Sequence, residues 1–327
     1  MQDFTHMYVR RAIFCHINLM TLVKNLFFCA NIVIMKQFNY SLILLFIAFI
    51  WGLAFSFQSL GGEVLGTFTF YSFRSYFSVA MMLILLAFKK DKKILENTFS
   101  IKIGIVGGVI TCIAYLVQQE ALRYTTAANS SFITSTYVAL VPVLAIFLGK
   151  KTGLKTWVCV FFEFVGLYFL CIKGDFAINK GDLMTMLCAF LFAVHILLID
   201  GGSDKLDSII FCTTQYIVCA IMSSILMFMF EMPVDFNAVK ASLVPIIFTG
   251  CISSSICITL QVECQKHINP TVASLILCLE SVFGALGGWL ILHESLSSRE
   301  LFGCAIIFLA IVLSQIDIKK IKALSQM

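Results

Sequence analysis

Charge is what this chain has least of. Asp, Glu, Lys and Arg together make up 13% of its 327 residues, against 60% hydrophobic residues and a mean hydropathy of +0.97. A soluble domain is about a quarter charged and about half apolar, so this chain cannot clothe its cores in polar surface, and its outside must face lipid. Signatures of metal and nucleotide chemistry are missing too. The thirteen cysteines stand singly, mostly inside apolar runs, as at Cys112, Cys159, Cys219 and Cys304, and no C-x-x-C pair occurs. They read as small apolar packing residues. His293-Glu294 lacks the second histidine of H-E-x-x-H, whose place Ser297 takes, and the glycines from Gly104 to Gly108 lack the Gly-Lys-Ser/Thr ending of a phosphate-binding loop. No metal site and no cofactor is therefore expected, and energy-requiring work must draw on a gradient. The net charge of +5 does not indicate a nucleic-acid partner, because the lysines gather in the connections between apolar runs.

Those runs are continuous rather than alternating, which predicts helices, the one element that satisfies its backbone within a single segment in lipid. Breaks at charged or turn-rich positions predict ten spans, near 41–60, 66–88, 103–121, 127–149, 154–172, 183–200, 208–230, 242–264, 270–292 and 300–317. If the N-terminus is inside, 17 Lys and Arg fall on the cytoplasmic side and 5 on the other, with Arg74 inside a span. That bias predicts both termini in the cytoplasm and an even number of spans. Residues 1–37 fit the scheme poorly: an apolar stretch from Ala12 to Met35 is broken by His16, Asn18, Lys24 and Asn25. It reads either as an interfacial helix or as sequence preceding a true start at Met35.

The two halves match when laid 141 to 143 residues apart. Ala48-Phe49 falls on Ala189-Phe190, Gly61 on Gly202 and Arg74 on Gln215. Gly107 falls on Gly250, Gln118 on Gln261, Glu120 on Glu263 and Ser131 on Ser274. Each half holds an odd number of predicted spans, so the second enters the membrane from the opposite side. Inverted repeats can exchange conformations and open a central site to one face at a time.

The residues also carry a family resemblance. Trp51-Gly52, Phe70 to Arg74, Gln118 to Tyr124, Thr125 to Val143 and Lys150-Lys151 resemble the first half of an EamA-type member of the drug/metabolite transporter superfamily. Gln261, Gln265-Lys266, Pro270-Thr271, Ala273 to Leu275, Glu280 to Phe283, Glu294 and Gly303 are similar to its second half. The likeness runs from about Phe38 to Asp317. It implies an all-α integral membrane fold of ten helices in two inverted five-helix repeats, 38–173 and 181–318, followed by a basic cytoplasmic tail, 319–327. It also implies a central cavity lined by the first four helices of each repeat, with the fifth helices supporting from outside. Glu163, in the middle of a supporting helix, and His195 depart from that pattern.

Ionisable groups deep in a span face a cavity or a partner. Arg74 is either an anion-attracting or gating group or one half of a structural pair. Glu280 suits a cationic solute or a proton, and Tyr137, its counterpart in the repeat, offers a ring and a hydroxyl. Gln118 and Gln261 either line the cavity or bond between helices. Trp51 caps the cavity or wedges against Gly52. His195 and Gln215 are secondary candidates; Glu120 and Glu263 stand near span ends, where a structural role is favoured. Asn129 and Ser131 read as N-cap residues of span four, and Pro142 as its kink. The expected function is secondary transport of a small organic metabolite or drug across the plasma membrane by alternating access. Export is favoured, a proton or other ion is the candidate coupling partner, and a lateral homodimer is left open. A membrane-embedded enzyme acting on a lipid-linked substrate would bring clustered loop carboxylates or histidines, and a sensor or assembly subunit an extramembrane domain; the sequence has neither.

Overall fold

The computed structural model describes residues 40–89, 97–149, 153–173, 177–202, 205–267 and 276–315. The reading of residues 1–37 and the basic tail 319–327 lie outside them. The apolar runs form helices α1 (Tyr40–Val64), α2 (Thr67–Ala87), α3 (Thr98–Ala121), α4 (Ala127–Ala145), α5 (Leu154–Cys171), α6 (Lys180–Asp200), α7 (Ser208–Phe230), α8 (Leu243–Gln265), α9 (Glu280–Leu292) and α10 (Ser298–Gln315). A two-residue antiparallel pairing of Ile172–Lys173 with Ala177–Ile178 joins α5 to α6. Residues 43–327 cluster as one unit; of the other unit, 1–42, only the first turn of α1 is described.

Seven of these helices, α1 to α4 and α6 to α8, are long and apolar enough to cross a membrane. The apolar stretches Trp157–Leu170 and Glu280–Leu292 are shorter. Of the predicted ninth span, residues 270–275 lie outside the described set.

Burial is reversed relative to a soluble protein. Leu83, Ile84, Phe161, Phe164, Trp289 and Leu290 are exposed, while Ser56, Gln58, Ser72, Arg74, Ser78, Gln118 and Glu280 are buried. A buried polar group is costly without a partner, and Ser78 finds two, donating to the carbonyls of Arg74 and Gly250 at 2.9 and 3.0 Å.

Helix ends follow the sequence closely. Asn97, Thr126, Asn179 and Asp207 cap α3, α4, α6 and α7 by accepting first-turn amides. Thr126 thus takes the cap that was expected of Asn129 or Ser131. Ser131 instead donates to the carbonyls of Ala128 and Ser281, at 2.8 and 3.2 Å. The break in α4 falls at Thr136, between Ala127–Ser135 and Tyr137–Ala145, ahead of the expected kink at Pro142. The middle of α8, Phe248–Ile256, is a π-helix, a wide turn that re-aims side chains and often marks functional positions.

Helices pair across the two halves: α2 with α7, α4 with α9, α5 with α10, α3 with α6 and α7, and α2 with the π-turn of α8. Helices α2 and α7 run antiparallel, since the end of each meets the start of the other. Glu231, at the end of α7, accepts the amides of Phe68 and Thr69 at 3.1 and 2.6 Å, and Lys89, just past α2, pairs with Asp207.

Candidate functional site

Between the halves lies a cavity of about 60 Å³, room for on the order of four or five waters. Its wall draws on α1 (Trp51, Ala54, Phe55, Gln58), α2 (Arg74), α3 (Thr111, Tyr115, Gln118), α4 (Thr134, Tyr137), α6 (Phe192, His195, Ile196), α8 (Ser253, Ile258, Gln261) and α9 (Glu280).

Arg74 is 1% exposed, and its position depends on the π-turn. That turn brings Ser254 against α2, where its hydroxyl accepts from Arg74 Nε and Nη2 at 3.1 and 2.9 Å, while Gln58 Oε1 accepts from Nη1 at 2.8 Å. The guanidinium lies 4.1 Å from the ring centre of Tyr115 and 5.7 Å from that of Tyr71, a cation–π setting strengthened by burial. Among the described residues no carboxylate is within ion-pair distance of it. Trp51 Nε1 donates to the carbonyl of Ser253 at 3.0 Å in the same turn, so its indole bridges α1 and α8 as well as lining the cavity.

Glu280 is 3% exposed. Ser135 donates to its Oε1 at 3.5 Å, and Tyr137 faces the same carboxyl, with its hydroxyl outside hydrogen-bond geometry. Gln118 donates to Thr134 Oγ1 at 3.3 Å. His195 Nε2 bonds Gln215 Oε1 at 2.7 Å, so α7 reaches the site through the wall residue His195. The Thr111 hydroxyl, on the same wall, has no partner among the described residues.

The six leading sequence candidates, Glu280, Arg74, Tyr137, Gln118, Gln261 and Trp51, thus line one cavity, with His195 beside them. Glu120 and Glu263 stand away from it. Thr67, at the start of α2, donates to Glu120 Oε2 at 2.5 Å; Ser208, at the start of α7, donates to Glu263 Oε2 at 2.8 Å. The two contacts match under the repeat offset. Glu163 is buried outside the cavity wall, and its Oε1 has no partner among the described residues. Gln58, Thr111, Tyr115, Thr134 and Ser254 were missed. Gln58 carried a signal, a polar amide in mid-span; Ser254 carried none, because its role comes from the π-turn.

Outside the spans, Asp207 caps α7 and pairs with Lys89. Burial pushes its carboxyl up, but the bonds from Lys89 and the Ile210 amide, with the charges of Lys89 and Lys266, outweigh that and hold it below the ordinary value of 3.8.

Comparison with known proteins accords with this architecture. The model of the EamA-like transporter family matches residues 39–172 and again 179–315. A protein of Archaeoglobus fulgidus described as an uncharacterized transporter is 29% identical over 279 residues, covering 85% of this chain and 86% of its own. A solved crystal structure superposes with a TM-score of 0.64 at 14% identity, covering 84% of this chain and 96% of that one, which bears on the fold alone. With its apolar helices and a family match in each half, the chain is a multi-pass membrane transporter rather than an enzyme, and it belongs to the EamA-like transporter family.

Proposed function

We propose that this protein is a secondary transporter of the plasma membrane that exports a small organic solute by alternating access, coupled to protons through Glu280. In this reading ten spans form two inverted five-helix repeats, 38–173 and 181–318, with both termini cytoplasmic, and the protein works alone or as a lateral homodimer. The observation that carries it is the cavity itself: a largely apolar hollow walled by both halves, with a buried cation from one and a buried carboxylate from the other.

Inversion is supported by the antiparallel α2 and α7 and by the matched Thr67–Glu120 and Ser208–Glu263 contacts. On the side that the lysine count assigns as outer, Glu231 holds the start of α2, and Glu294 accepts the Ala127 and Ala128 amides at the start of α4, at 2.7 and 3.0 Å. On the other side Lys89 pairs with Asp207 and Ser208 bonds Glu263, so each face has contacts that a transport cycle would break in turn. A carboxyl facing Ser135 and Tyr137 of α4, with Tyr115 and Cys188 of α3 and α6 nearby, can exchange a proton with whichever face the cavity opens to.

The test is flux from proteoliposomes loaded with amino acids, nucleosides or cationic drugs, with and without an imposed pH gradient. Proton-driven flux of at least one class is expected, with Glu280→Gln keeping solute exchange and losing the response to the gradient. An unchanged gradient response in that variant overturns the coupling assignment, and no protein-dependent flux of any class overturns the transport cycle.

A further inference from the structure

We propose that the solute received in the cavity bears a single carboxylate, bound edge-on by the two terminal nitrogens of Arg74; this rests on the transporter reading above. An arginine keeps its charge in a protein, and a buried charge left uncompensated is costly. Yet the three bonds that hold this guanidinium end on neutral oxygens, two on Ser254 and one on Gln58. Of its five N–H groups, one on each of Nη1 and Nη2 is left over. The ring of Tyr115 lies 4.1 Å from the guanidinium carbon, and the three bonds to Ser254 and Gln58 hold the group's plane. A fixed plane with one N–H on each terminal nitrogen suits the two oxygens of a carboxylate, a pairing that lysine cannot reproduce.

The rest of the cavity narrows the class. Among the described residues Arg74 is the sole Lys or Arg on the wall, too few cations for a phosphate dianion. Room for about four or five waters suits a small solute. The free Thr111 hydroxyl offers a further bond to an oxygen-bearing solute. With one guanidinium to balance, the site suits a solute of single negative charge.

Trp51 is a built-in reporter, since it lines the cavity while Trp157 and Trp289 are exposed on the outer surface. Full-length protein carrying Trp157→Phe and Trp289→Phe, in lipid nanodiscs, is titrated with lactate, with its uncharged isostere lactamide and with chloride. Lactate is expected to change the Trp51 emission saturably and lactamide not at all. Arg74→Lys should weaken the response about tenfold or more, as loss of a two-point bond implies, and Arg74→Gln should abolish it. Equal responses to lactate and lactamide, or to lactate and chloride, overturn the proposal without recourse to any Arg74 variant; so does an undiminished lactate response in a folded Arg74→Gln protein. Labelled lactate in proteoliposomes separates the two claims. Lactate binding without protein-dependent flux sinks the transport reading and keeps the site. Protein-dependent flux of other solutes with no lactate response sinks the site and keeps transport.

Discussion

The carboxylate of Glu231 does for α2 what a capping side chain does for other helices, and removing it gives a local test of the fold. Gly66, the residue before α2, makes no side-chain cap, and Glu231 accepts from Phe68 N and Thr69 N instead, at 3.1 and 2.6 Å. A cap lost to alanine costs about 0.5–2 kcal/mol, and an anion at a helix N-terminus adds about 0.3–1 kcal/mol. Glu231→Ala should therefore loosen the first turn of α2 by about 1–2 kcal/mol, which is on the order of a tenfold change in the local opening equilibrium. Hydrogen exchange by mass spectrometry reads this directly. Amides at Phe68 and Thr69 should exchange on the order of ten times faster, while those at the start of α7, capped by Asp207, stay unchanged. A Cβ on Gly66 would sit 2.3–2.4 Å from the Glu231 carboxyl atoms, so Gly66→Ala should displace the carboxylate and produce the same effect. The double variant should then be no looser than the worse single one, because both remove one interaction. Additive effects, or protected Phe68 and Thr69 amides in Glu231→Ala, would refute the clamp.

Two further outcomes follow from packing and charge. Helices α5 and α10 touch through glycines, and a Cβ on Gly303 would lie 2.8 Å from the carbonyl oxygen of Gly166; Gly303→Ala should cost about 1–3 kcal/mol, the usual range for overpacking, read as a lower unfolding temperature in detergent. The lowered Asp207 carboxyl contributes stability that is present above its unfolded value and lost as pH falls through its folded one. Wild type should therefore lose more stability than Asp207→Asn on acidification from about 4 downward, and parallel melting curves for the two proteins would contradict the Lys89–Asp207 assignment.

Continuous apolar runs fixed most helix bounds within a few residues, because in lipid a span must satisfy its own backbone and little else competes. The site was legible for the same reason: an ionisable or amide side chain in mid-span has few places to go, which singled out Arg74, Glu280, Gln118 and Gln261. What escaped depended on tertiary geometry. Ser254 looks like its neighbours Ser253 and Ser255, and only the π-turn gives it the guanidinium. Asn129 stands three residues beyond the true cap, Thr126, whose hydroxyl accepts the Asn129 amide. Glu294 fell inside a failed metalloprotease motif and a family match, and neither signals that it reaches the first amides of α4.

The two ends of the α2–α7 pair are held by unlike chemistry. At one end an acid binds backbone amides; at the other Lys89 and Asp207 form a partly exposed ion pair. Salt screens the exposed pair far more than a carboxylate bonded to two amides. The matched Thr67–Glu120 and Ser208–Glu263 contacts give the halves a common scaffold, but Glu263 also engages Lys266 at 2.8 Å, whereas Glu120 has Arg123 at 3.6 Å and Tyr124 at 3.0 Å. Under the inverted-repeat reading these ends lie on opposite faces, so the two halves of a transport cycle break different bonds. On the alternating-access proposal, the relative populations of the two states should then shift with ionic strength.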